Sequence, residues 1–106
     1  MKKTNKQLLN LGLTQEQLLE LVQGALQVME SAEGSVSNIE MGGDEFSTDI
    51  RFTDHKDRNW VVYILDGENT DTIYANTYKG DELEEKNEKS FKSVMAVVNH
   101  IKRVVA

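Results

Sequence analysis

Two short acid-rich runs are where chemistry would first be sought. Asp66-Gly67-Glu68-Asn69-Thr70-Asp71 places three carboxylates within six residues, and carboxylate oxygens are the ligands that Ca²⁺ and Mg²⁺ select. The run lacks the Asp-x-Asp-x-Asp-Gly order and the distal bidentate Glu of an EF-hand. Asp-Gly and Glu-Asn are also ordinary hairpin residues, and a turn is the preferred reading. Asp54-His55-Lys56-Asp57 combines a histidine with two acids, the types that a metal or an acid–base pair requires. A polar hairpin tip accounts for the same residues. His100 falls at the edge of an apolar helical seam and reads as a helix-flank residue rather than a ligand.

Other chemistries are excluded by what is missing. The 106 residues contain no Cys and no Pro. Without Cys there is no disulfide, thiolate zinc site, Fe–S cluster or cysteine nucleophile. No Gly-x-Ser-x-Gly or Ser-x-x-Lys marks a serine nucleophile. No Gly-x-x-x-x-Gly-Lys or Gly-x-Gly-x-x-Gly marks a nucleotide site. Gly42-Gly43-Asp44 lacks the strand-to-helix setting of a phosphate cradle. The expectation is a protein without catalytic residues, metal or cofactor. A metal-dependent hydrolase using the acids of 54–71 is the minor alternative.

Charge is the strongest compositional signal. Eighteen Asp and Glu face twelve Lys and Arg, a formal charge of −6. Residues 1–34 hold three Lys and four Glu, and residues 82–106 hold five Lys and Arg and four Glu. Residues 35–81 hold four Lys and Arg against ten Asp and Glu, so the excess is expected in the strands and turns, with the helices near balance. An acidic chain is a poor direct ligand for nucleic acid, where clustered Lys and Arg must displace counterions. It suits a protein partner with a basic surface, although surplus acid also serves solubility. No stretch approaches the ~20 apolar residues of a membrane span. Met1-Lys2-Lys3 resembles a signal n-region, but residues 4–10 supply no apolar core behind it, so a cytoplasmic location is expected.

These groups must be positioned by a single domain, for which the length suffices. Thr14-Gln15-Glu16-Gln17 predicts a capping box, with Leu13 and Leu18 as its staple. Leu18, Val22, Ala25 and Met29 then form a helical stripe widened by Leu19 and Leu26. Leu21 and Val28 lie off it and suggest that the helix is covered on more than one side. Gly34 is the stop, and residues 4–11 suggest a short helical turn before Gly12. Phe46, Thr48, Ile50 and Phe52 alternate with Ser47, Asp49, Arg51 and Thr53, the period of a half-buried strand. Trp60 to Leu65 is a continuous apolar run and reads as a central strand. Thr72–Tyr78 and the weaker Val36–Met41 complete four strands, and short turns between them predict an antiparallel meander. A last helix is predicted from about Glu82 to the end. Asp81 would cap it, Glu82, Glu84 and Glu85 would fill its first turn, and Lys102 and Arg103 its last. Phe91, Val94, Val98, Ile101 and Val105 make its seam. A strand over 93–98 is the alternative.

The predicted fold is α+β, in the order α-β-β-β-β-α, with two amphipathic helices on one face of a four-stranded antiparallel sheet. The other sheet face then carries Ser47, Asp49, Arg51 and Thr53 with Tyr74, Asn76 and Tyr78. Either Trp60, Val62 and Ile64 or Val61, Tyr63 and Leu65 share that face. Tyr and Arg are enriched where interfaces concentrate their energy. The face is therefore expected to bind a partner, to pair with a second copy as a homodimer, or to remain plain solvated surface. Candidate partner-binding residues are Glu40, Asp44, Glu45, Asp49, Arg51, Asp54, Asp57, Asp66, Glu68, Asp71, Tyr74 and Tyr78.

The Lys/Asn/Glu-rich segments Lys2-Lys3-Thr4-Asn5-Lys6 and Glu84-Glu85-Lys86-Asn87-Glu88-Lys89 are similar in style to proteins of low-GC Gram-positive bacteria and their phages. A small, acidic α+β chain with no Cys, no Pro and no catalytic motif resembles inhibitors carried by phages and mobile elements, specifically anti-CRISPR proteins. The resemblance lies in overall character and carries no site residue. It implies a Cas9-type nuclease as partner, whose basic channel and PAM-reading Arg side chains would meet the carboxylates of 40–71.

Overall fold

The computed structural model describes residues 14–43, 47–65, 72–79, 82–83 and 87–106. Helix α1 (Gln15–Glu33) is followed by strands β1 (Val36–Gly43), β2 (Ser47–Asp54), β3 (Asn59–Leu65), β4 (Ile73–Lys79), β5 (Glu82–Leu83) and β6 (Lys89–Phe91). Helix α2 (Val94–Val105) closes the order.

Helix α1 begins and ends on local chemistry. Thr14 Oγ1 accepts from the Gln17 N–H at 3.1 Å, and Gln17 Oε1 accepts from the Thr14 N–H at 2.8 Å. Two amide groups that a helix start leaves unpaired are thereby satisfied. The staple residue Leu13 and the turn expected over 4–11 lie outside the described residues. Gly34 stops the helix at φ 64°, with its N–H donating to the Glu30 carbonyl at 3.1 Å, a conformation that is cheap only for a residue without Cβ. Leu18, Leu19, Val22, Leu26 and Met29 are buried. Leu21 and Val28 remain 53% and 63% exposed, which corrects the expectation of a second covered side. Their positions lie off the stripe that meets the sheet, and no described element crosses them.

The predicted meander is present, β1 to β2 to β3 to β4, each pair antiparallel. The sheet has two further short strands, because β5 and β6 both pair with β4. They are two pieces of one interrupted strand. The Tyr78↔Leu83 register would set Ala75 opposite position 86, yet Ala75 faces Lys89, three positions later. Part of the segment expected as the start of the last helix is thus recruited to the edge of β4, where its amides find ladder partners. Helix α2 starts only at Val94, capped by Ser93, whose Oγ accepts from the Ala96 N–H at 3.1 Å. Glu82 is in a strand, not a first turn, and Asp81, Glu84 and Glu85 lie outside the described residues. Lys102 and Arg103 do occupy the last turn, where cations favour the helix dipole. The strand alternative over 93–98 is not what forms.

Both helices cover one face. Ile50 pairs with Val62 and Val62 with Ala75, while Phe52 pairs with Trp60 and Trp60 with Thr77. These rows and the buried residues of α1 and α2 make one apolar core, a two-layer α+β domain. Phe52 and Trp60 stack at 5.6 Å within it. Among the described residues no helix is long and apolar enough to cross a membrane.

The helix boundaries redistribute the charge. Helix α1 carries Glu16, Glu20, Glu30 and Glu33 and no Lys or Arg, since Lys2, Lys3 and Lys6 precede it. Residues 89–106 carry Lys89, Lys92, Lys102 and Arg103 and no Asp or Glu. The helices are therefore not balanced as expected: one is an acidic pole and the other a basic one.

Candidate functional site

The register decides which side of β3 is outward. Because Ile50 and Phe52 stand opposite Val62 and Trp60, the outer residues of β3 are Val61 and Tyr63. Three rows cross the outer face. Thr53, Asn59 and Tyr78 form one; Glu40, Arg51, Val61 and Asn76 a second; Gly42, Asp49, Tyr63, Tyr74 and Ser90 a third. In the first row Thr53 Oγ1 donates to Asn59 Oδ1 at 3.0 Å, a cross-strand contact.

The third row is organised by its rings. Tyr63 and Tyr74 stack with centroids 5.1 Å apart and planes within 18°. The Tyr63 hydroxyl donates to Glu88 Oε2 at 2.6 Å. Burial first, then the Glu88 hydrogen bond and charge, push the Tyr63 phenol well above its ordinary range. In the second row the Arg51 guanidinium lies 5.8 Å from the Tyr78 ring centroid, a cation–π distance, and 3.8 Å from the Asp49 carboxylate. Val61 and Asn76 of the second row are 4% and 1% exposed, on a face that no described helix covers. The result is an ordered surface of tyrosine, arginine and carboxylate. Beside it, at the β1 bulge between Ser37 and Glu40, a shallow concavity of about 390 Å³ is bordered by Asn38, Glu40, Arg51, Asn59 and Tyr78.

The other predicted cluster has a different purpose. Asp54 is buried, and its carboxylate accepts from the Lys56 N–H at 2.8 Å, the Arg58 N–H at 3.0 Å, Arg58 Nε at 2.8 Å and Trp60 Nε1 at 2.8 Å. Burial alone would raise its pKa, but hydrogen bonds from Trp60, the backbone of Arg58 and Lys56, and the Arg58 side chain together lower it. The turn that Asp54 holds then closes the end of α2. Arg58 donates to the Val104 carbonyl at 3.3 Å, and His55 Nε2 meets the Val105 carbonyl. Helix C-termini leave such carbonyls unpaired, and donors there also favour the dipole. The polar-tip reading of residues 54–57 describes this arrangement.

The candidate residues therefore divide. Glu40, Asp49, Arg51, Tyr74 and Tyr78 meet on the outer face. Asp54 is corrected from a surface acid to a buried one, because its inward register opposite Val36 takes it under the turn. Asp57 sits on the turn at φ 64°, exposed and apart from the face. Asp44, Glu45, Asp66, Glu68 and Asp71 lie outside the described residues. Among the described residues, no three His, Asp or Glu side chains converge as metal ligands. Glu88 was not among the candidates, and Tyr63 entered only as one of two alternatives for the outward side of β3, which the register settles. A contact across 25 positions leaves no local pattern to read.

No family model, no curated protein sequence and no solved structure matches the chain.

Proposed function

We propose that the chain is a non-enzymatic binding protein that inhibits or regulates a larger partner with a basic surface, and that the partner seats on the outer face of the sheet. The observation that carries this reading is the preformed Tyr63–Tyr74 stack flanked by the Arg51–Tyr78 pair. Rings already fixed by one another lose little freedom on binding. Tyr and Arg are also the types on which interface energy concentrates. Glu40, Asp49 and Glu88 border these rings and favour a cationic surface over a polyanion. The resemblance noted in the sequence implies a Cas9-type nuclease in the cytoplasm of a bacterial host as the specific partner. Occupation of its positively charged channel or obstruction of a conformational step would each serve.

The test is a Cas9 cleavage reaction titrated with the chain at low and moderate salt. Inhibition is expected to weaken as salt rises, and to weaken further for Tyr74→Ala and for the Glu40→Lys/Asp49→Lys double variant. No inhibition by the wild type removes the nuclease as partner. Inhibition unchanged in both variants removes the outer face. Sedimentation of the free chain supplies the competing outcome, a homodimer that buries this face on a second copy.

A further inference from the structure

A second concavity, of about 180 Å³, opens on the other side of the molecule between the turn before β3, the 87–89 segment and α2. Arg58, Lys89 and His100 border it, together with the hydroxyl-bearing Thr77, Asn87 and the ring of Trp60. Among the described residues none that borders it is an acid, although the chain as a whole is acidic. The concavity lies on the basic pole, residues 89–106, where four cations meet no carboxylate in the sequence.

The nitrogen groups are held in place. Arg58 is anchored through Nε to Asp54 and through its terminal nitrogen to the Val104 carbonyl, and its guanidinium stands 6.0 Å from the Trp60 ring. Asp54 lies behind it and compensates part of its charge. The His100 ring is wedged edge-on to Trp60 at 6.2 Å and tilted on Phe91 at 5.0 Å. Its Nδ1 accepts from Arg103 at 3.3 Å, which leaves the imidazole proton on Nε2 as a donor. Lys89 reaches the same place from β6.

We propose that this concavity binds a phosphate group. A guanidinium, an ammonium and an imidazole N–H bordering one small volume suit a compact tetrahedral oxyanion with several acceptor oxygens. The electrostatics agree. Burial first, then Arg103 and then Lys89 hold the His100 pKa below its ordinary value. Lys89 and Arg103 face the imidazole with Arg58 nearby; among the described residues, Asp54 is engaged by Arg58 and Glu88 is engaged by Tyr63. A bound anion would relieve that repulsion, so binding and protonation of His100 are linked. The site is independent of the outer face and of any partner that seats there.

The experiment is an NMR pH titration of His100, with Trp60 fluorescence as a second readout, since Trp60 is the single tryptophan. The probes are inorganic phosphate and O-phosphoserine, with sodium chloride at matched ionic strength as control. Either phosphate is expected to raise the His100 pKa by on the order of one unit, saturably. Lys89→Gln, at an exposed position that leaves the Asp54 contacts intact, should weaken binding about tenfold, one charge-assisted hydrogen bond. Tighter binding of phosphoserine identifies a phosphorylated ligand, and tighter binding of the free ion identifies inorganic phosphate. A shift that is linear and equal to that in chloride overturns the proposal. So does a saturable shift that Lys89→Gln leaves untouched.

Discussion

Asp54 Oδ2 accepts the indole N–H of Trp60 at 2.8 Å, six residues away across the β2–β3 turn. The same carboxylate holds the backbone and side chain of Arg58 and the backbone of Lys56. One buried acid thus joins the core ring to the turn that closes α2. Asp54→Ala would strand a buried N–H and a guanidinium together. We expect a loss of about 3 kcal/mol in denaturant unfolding, and less for Asp54→Asn, which keeps an acceptor. A loss below 1 kcal/mol for Asp54→Ala would mean that this hub is not a structural centre.

The lowered pKa of Asp54 also fixes a direction with pH. A carboxylate with a depressed folded pKa contributes its stability fully above the unfolded value, ~4, and loses it as pH falls through the folded value. Unfolding midpoints of the wild type should therefore fall as the pH drops below ~4. Asp54→Asn should show a shallower fall over that interval. Parallel curves would contradict the assignment.

Tyr63 has the opposite sign. Its phenol is raised by burial and by Glu88, so the stabilisation is present below the unfolded pKa of ~10 and is lost as pH rises through the folded value. Carbon-13 labelling of the ring should show Tyr63 still protonated at pH values where a free tyrosine is half ionised. Tyr63→Phe should cost about 1 kcal/mol at neutral pH through loss of the 2.6 Å bond.

Two glycines of the same helix should respond oppositely to alanine. No atom lies within 4 Å of a Cβ built at Gly24 or at Gly34, so only the backbone differs. Gly24 is inside α1, where alanine should stabilise by about 0.5–1 kcal/mol. Gly34 has φ 64°, and alanine there should cost about 1 kcal/mol. Thermal or denaturant midpoints moving in the same direction for both would refute this.

The start of α2 is testable in the same way. Ser93→Ala should cost about 1 kcal/mol by removing the cap. Glu82→Lys should change stability by no more than ~0.5 kcal/mol, because Glu82 is exposed on β5 and not in a helix first turn. A penalty well above that would contradict the placing of Glu82 as an exposed strand residue.

The sequence is legible where neighbours within a few residues decide the outcome. The Thr14–Gln17 capping box, the Gly34 stop and the alternation of β2 all depend on short-range contacts. The same rules misplaced the start of α2. Charges in a first turn are worth tenths of a kcal/mol, while pairing Ile73, Tyr74 and Ala75 with Phe91, Ser90 and Lys89 gives the first half of the β4 edge ladder partners.

The sequence by itself determined the α+β order, the meander, the one-sided pattern of apolar residues and the overall acidity, because each follows from period, turn chemistry or composition. Only the tertiary structure decided which side of β3 faces out, that Asp54 turns inward to Trp60, and that Tyr63 meets Glu88. It also decided that Arg58, Lys89 and His100 share one concavity. A period of two defines two faces without saying which is buried, and that choice rests on register with strands distant in the chain.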